Sequence, residues 1–272
     1  MQKIKNIEFL RLFFMLAIVL MHYTAKCAKL IDVDSIGHIA KHLSNGGKAV
    51  DGFFIISGFL LYLTFKNSTT IIDFIKKKIL RLSPVIIFSV IVGFIASLFG
   101  LMKFSFHSAL MTITFTNVLA DMSIGNWDEL AVTWYVSVLF WVSLLYFYLM
   151  KNFDKKYTNL AIGILSVVSY YVALKAHQGS LGNPHATFLG IINLGFLRGF
   201  GGIGLGYFIA QWYKDNYNAI ANKICSVKEK LGYTLLEIIF LVAVFLELFI
   251  LNSQHKYNFA IVIDITILFI LF

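Results

Sequence analysis

The chain has 272 residues, of which 59% are apolar and 14% charged, against about 45–50% and about 25% in soluble domains. So few ionic groups cannot cover the surface that so many apolar residues leave over, which excludes a single water-soluble domain. The 19 Gly, 2 Pro and 27 Phe likewise exclude disordered and collagenous classes, and the net charge of +9 is explained by Lys and Arg gathered in cytoplasmic loops, without nucleic acid as a partner.

In chain order, apolar segments predict membrane spans over about 7–23, 50–65, 84–101, 130–149, 159–174, 189–212, 233–251 and 258–272. Lys3 and Lys5 precede the first, which has no convincing cleavage site after it and is expected to stay as an anchor. Further basic groups collect in 66–81, 151–156 and 214–230, so these loops and the N-terminus are expected on the cytoplasmic side. The loop 24–49, with Lys26, Lys29, Lys41 and Lys48, is the one that resists this assignment.

All the basic loops share one side only if 106–120, which is short and carries Thr112, Thr114, Thr116 and Asn117, enters and leaves by the same face. It is therefore read as re-entrant or interfacial. Cys27 and Cys225 then fall on opposite sides of the bilayer and cannot pair. The last apolar stretch would reach only about 22 Å as a helix, short of the roughly 30 Å hydrocarbon core, which suggests a C-terminally truncated product. The expected fold is all-α: one polytopic membrane domain over 1–272, with about eight spans and one re-entrant segment.

Gly199, Gly201 and Gly204 form the spacing G-x-G-x-x-G, but inside a span. It is therefore not read as a dinucleotide site, and the neighbouring pairs Gly195 with Gly199 and Gly202 with Gly206 are explained by close helix packing. His38 and His42, four residues apart, have no third metal ligand in register, and no metal site is expected.

Ionisable groups within spans are candidates for function by default. They are Arg11, His22, Asp51, Arg198, Glu237, Glu247 and Asp264. At 100° per residue, Arg11 and His22 lie about 20° apart in azimuth and about 16 Å apart along one helix, so they face one cavity at two depths. Something extended has to connect them, and a pantetheine arm has a suitable length. Lys76, Lys77, Lys78 and Arg81, expected just before the third span, could cradle the phosphates of a nucleotide-like donor. Arg198 could neutralise donor phosphate or a developing oxyanion, or pair with Glu247.

The run Glu8-Phe-Leu-Arg11, then His22, then Val50-Asp-Gly-Phe-Phe-Ile-Ile-Ser-Gly-Phe59 and Lys78-Ile-Leu-Arg81-Leu-Ser-Pro84 resembles the membrane-bound acyltransferase family 3, which includes the O-antigen and exopolysaccharide O-acetyltransferases. Thr133-Trp134-Tyr135 and Arg198 to Gly206 look like later landmarks of that family. The resemblance implies a bacterial plasma-membrane enzyme that moves an acyl group, usually acetyl from acetyl-CoA, to a hydroxyl of a cell-envelope glycan. No permanently bound cofactor is implied.

Carried over, His22 matches the family's essential histidine, Arg11 its arginine partner and Arg81 the second arginine of R-x-x-R. Lys78 stands where the first arginine is expected, keeping the charge but not the bidentate fork. No Glu follows Trp134 where many members have one. Family members commonly have about ten spans. His22 would be general base on the acceptor hydroxyl, a role that its ordinary pKa suits, with Asp51 orienting the imidazole or only complementing a helix dipole. A covalent relay through Ser57 is the less economical route. A transporter or flippase for a glycan or small solute is the alternative from another class, though no inverted repeat supports it.

Overall fold

A computed structural model of the chain describes residues 5–30, 44–66, 69–100, 103–120, 133–176, 181, 187–189, 192–223, 227–249, 262–263 and 265–267. In chain order these form α1 (Lys5–Leu30), a 3-10 turn (Ser44–Lys48), α2 (Ala49–Thr64), α3 (Ile71–Leu98), α4 (Phe106–Ile113), α5 (Asn117–Ala120), α6 (Trp134–Asn152) and α7 (Lys155–Ala176). A minimal antiparallel ladder follows, β1 (Thr187–Phe188) with β2 (Ile192–Asn193), then α8 (Leu194–Lys223) and α9 (Val227–Phe249). Among the described residues, six helical stretches are long and apolar enough to cross a bilayer: Ile7–Cys27, Gly46–Thr64, Ile71–Leu98, Trp134–Asn152, Lys155–Ala176 and Leu231–Leu248. The expected span 189–212 corresponds to α8, a helix of 30 residues that is rich in glycine and falls outside those six. Most of 258–272, with Asp264, lies outside the described residues, as do His38, His42 and Cys225.

The chain packs as two units. The first comprises Met1–Tyr62, Leu174–Gly182 and Leu205–Phe272; the second comprises Leu63–Ala173 and Asn183–Gly204.

In the first unit, α1 buries Ile7, Leu10, Phe14 and Ala17, a 3-4-3 spacing that makes one stripe along the helix. The 3-10 turn lies on that stripe. A side chain at Gly46 would strike the Ala17 carbonyl and Met21, and one at Gly52 would strike the Phe14 ring. Glycine is thus what lets the turn and the start of α2 descend against α1.

In the second unit, α3 and α6 run antiparallel, because Phe74 stacks on Phe147 at 4.2 Å while Lys78 donates to Ser143 Oγ at 3.0 Å. Helix α3 starts earlier than expected, at Ile71 and not near 84, and it includes both the basic run and Pro84. The physical reason is a cap that overrides the loop signal of the charges. Thr70 Oγ1 accepts from the Asp73 backbone N–H at 3.1 Å and donates to Asp73 Oδ2 at 2.7 Å, and lysine is itself a good helix former. Its 28 residues measure about 42 Å, so roughly two turns extend past a 30 Å hydrocarbon core.

The segment 106–120 is two short helices of 8 and 4 residues. The longer measures about 12 Å and cannot cross a bilayer. Its Thr and Asn residues satisfy the turn between them. Thr114 Oγ1 donates to the Leu110 carbonyl at 2.9 Å, and Asn117 Nδ2 donates to Thr133 Oγ1 at 2.9 Å while Asn117 Oδ1 accepts from Ser137 Oγ.

Phe115 takes φ 57°, a left-handed setting costing about 1–2 kcal/mol per residue. Its ring stacks on Phe140 at 4.9 Å and its carbonyl accepts from Trp141 Nε1 at 2.8 Å. Because Asn117 bridges two partners, Asn117→Ala is expected to cost about 1–3 kcal/mol. A lowered Tm in detergent would show this, and an unchanged Tm would mean that the segment is held by apolar packing alone.

The glycines of α8 are sites of close approach, as expected. In the second unit side chains at Gly199, Gly201 and Gly204 would collide with Val138, Tyr170 and Ser166, and in the first unit one at Gly206 would collide with the Ile55 carbonyl. The G-x-G-x-x-G spacing therefore serves packing inside one helix.

Candidate active site

Arg11 and His22 both lie on α1, which is helical without interruption over Lys5–Leu30. The azimuth deduced from their spacing therefore holds. Both sit about a quarter turn round from the buried stripe, on the same flank. Arg11 is half-buried and His22 exposed within the protein envelope. Arg11 Nη1 bonds Glu8 Oε1 at 2.9 Å, one turn earlier, so the first acid of the Glu8-Phe-Leu-Arg11 run orients the guanidinium. That partnership was readable from the i, i+3 spacing.

Asp51 is in the first turn of α2 and fully buried, with 0% exposure. An acid there complements the helix dipole. Its height follows from its neighbours. Gly46 abuts Ala17 and Met21, and Gly52 abuts Phe14, so Asp51 lies about 8–12 Å below His22 along α1. It stands between the levels of His22 and Arg11, because the 3-10 turn carries the chain down before α2 begins.

In the second unit the four basic groups of α3 are divided by the helix. Lys76, Lys77 and Arg81 are exposed, whereas Lys78 is turned inward to Ser143, with its ammonium 5.7 Å from the Phe74 ring centre. Sequence gave no sign of Ser143, which is 65 positions away. Arg198 is buried, with 3% exposure, in the early turns of α8. Its guanidinium carbon lies 5.5 Å from the Trp134 ring centre, a cation–π contact, and Gly195, one turn earlier, lets the indole approach the helix. Two expected family landmarks, Trp134 and Arg198, are thereby joined. Glu247 and Glu237 lie on α9, both half-buried; Glu247 belongs to the first unit and Arg198 to the second.

Chemically, the first unit presents an imidazole and a guanidinium along one helix flank, and the second presents exposed cations on a helix end. A comparison with curated proteins and one with solved structures each return no match. The family model for the acyltransferase domain of acyltransferase family 3 matches residues 4–272, nearly the full length. The chain is therefore a multi-pass membrane protein that belongs to acyltransferase family 3.

Proposed function

We propose that the protein transfers an acyl group, most simply acetyl, from cytoplasmic acyl-CoA to a hydroxyl of a cell-envelope glycan at the plasma membrane of a bacterium. What supports the reading above all is α1, one unbroken helix that carries Arg11 and His22 on the same flank in a chain matched to the acyltransferase domain over 4–272.

His22 takes the proton of the acceptor hydroxyl on a ring nitrogen as the oxygen attacks the thioester carbonyl. The C–O bond forms, the C–S bond breaks, and the leaving thiolate receives a proton, so CoA departs as the free thiol. No covalent enzyme intermediate is needed. Asp51, between the levels of His22 and Arg11, favours the imidazolium that forms. Arg11, held by Glu8, meets the donor nearer the cytoplasmic end.

Lys76, Lys77 and Arg81 hold the donor phosphates, Arg81 with its forked donors. Lys78, tied to Ser143, positions the helix that presents them. Arg198 supplies positive charge to the donor or to the oxyanion of the transition state.

The test is the purified protein in vesicles, supplied with acetyl-CoA and a glycan acceptor, with free thiol and acylated glycan measured together. Equal release of both supports the reading. Glycan movement across the vesicle wall without thiol release would instead make the protein a transporter.

A further inference from the structure

The turn between α6 and α7 carries an open groove of about 420 Å³ lined by Leu149, Phe153, Tyr157 and Ala161. The turn itself is tightly built. The Phe153 N–H donates to the Leu149 carbonyl at 3.1 Å, and Thr158 Oγ1 donates to the same carbonyl at 3.1 Å. The groove walls are therefore fixed by hydrogen bonds to the Leu149 carbonyl. Its lining has no amide or carboxylate to read a base or a peptide.

Two features identify what fits there. The first is depth. Helix α6 has 19 residues and measures about 28 Å, close to the 30 Å hydrocarbon core, so the turn after Asn152 falls at the boundary between acyl chains and headgroups. Tyr148, Phe153 and Tyr157 are exposed at that level, as aromatic side chains are at such boundaries. From the groove an exposed apolar stripe continues along one face of α7 through Tyr157, Ile164, Val168 and Tyr171. It is about 21 Å long, more than the roughly 15 Å half-thickness that one acyl chain occupies.

The second is charge. Lys155 and Lys156 are exposed in the first turn of α7, beside Asp154 and close to Lys151. The register of α3 on α6, with Phe74 on Phe147 and Lys78 on Ser143, brings Lys76 and Lys77 to the same end of this unit. Against these cations stand Asp154 and Asp73 alone among the described residues of the turn and of the start of α3. An apolar slot at acyl-chain depth, at an end of the unit where cations outnumber acids, matches an anionic amphiphile of the bilayer whose phosphate the long lysine side chains of the first turn of α7 reach from beside the groove.

We propose that this groove is a binding site for an anionic phospholipid, with one acyl chain against Phe153, Tyr157 and Ala161 and the phosphate on the ammonium groups of Lys155 and Lys156. Its four lining residues and the two lysines assigned to the phosphate lie outside the proposed active site, whereas Lys76 and Lys77 at the same end belong to the proposed donor site, so displacement by acetyl-CoA is one arm of the test.

Native mass spectrometry of the full chain in detergent, with phosphatidylglycerol and phosphatidylcholine of identical chains, tests it. The expected result is retention of phosphatidylglycerol over phosphatidylcholine by at least about tenfold. Lys155→Gln with Lys156→Gln should abolish that preference. Ala161→Trp, which fills the groove, should lower retention of both lipids. Lys214→Gln, exposed on α8, should change neither. A preference that survives the double lysine substitution, one that is lost equally in Lys214→Gln, or displacement of the lipid by acetyl-CoA would each overturn the proposal.

Discussion

Replacing His22 with alanine is expected to reduce acyl transfer by about 10²- to 10⁴-fold, the usual contribution of a general base. Membrane abundance should stay normal. The separation of the two effects follows from position. His22 is exposed on the flank of α1, while the contacts that hold the helix are those of Ile7, Leu10, Phe14 and Ala17. Alanine is also the best helix former, so the backbone loses nothing. The comparison that gives the result meaning is Phe14→Ala, which removes a ring with 0% exposure packed on Gly52 and should cost about 3–5 kcal/mol. That variant should lose protein along with activity, whereas His22→Ala should lose activity alone. Thiol release and glycan acylation at matched protein amounts decide it. Retained acylation in His22→Ala would remove the imidazole from the base role.

Charge reversal of the exposed cations on α3 is expected to act on the donor alone. Arg81→Glu, combined with Lys77→Glu, should raise the KM for acetyl-CoA by at least about 10- to 100-fold, because the loss of even one charge-assisted hydrogen bond costs about 1.5–3 kcal/mol. The KM for the acceptor should not move. Both side chains are exposed, so folding is spared. Lys78→Ala should differ in kind. It strips Ser143, a residue with 0% exposure, of its amine partner, and the loss should fall on stability, about 1–3 kcal/mol, more than on the donor KM. A donor KM unchanged by the double reversal, or raised as much by Lys78→Ala without loss of stability, would break the assignment of phosphates to Arg81 and Lys77.

The membrane helices were legible because long apolar windows have few other uses, and α1, α2, α6, α7 and α9 overlap the windows, with ends up to seven residues away in α1 and six in α9. The start of α3 was not, because charge served as the loop signal. A run of lysines is equally at home in a capped helix end, and the deciding pair is Thr70 with Asp73. Charge was enough to expect that 106–120 is no full span, whereas what fixes the turn between its two short helices, Phe115 stacked on Phe140 and bonded by Trp141, depends on residues from another helix.

The same divide runs through the site. The shared flank of Arg11 and His22 needed only the helical repeat, and Glu8 beside Arg11 only the i, i+3 rule. The height of Asp51 is set by Gly46 and Gly52 against α1, and the inward turn of Lys78 by Ser143. Those are tertiary contacts, which no local pattern encodes. Arg198 on Trp134 joins two segments that sequence had marked separately.

The central claim is that this chain places acyl groups on envelope glycan hydroxyls. The most direct measurement is mass spectrometry of envelope glycans from cells that carry the intact gene, no gene, or the His22→Ala form. Each acetyl group replaces a hydroxyl proton and adds about 42 Da. The account predicts glycans with that increment only in cells carrying the intact gene. The same increment in all three strains, or its persistence with His22→Ala, would contradict it.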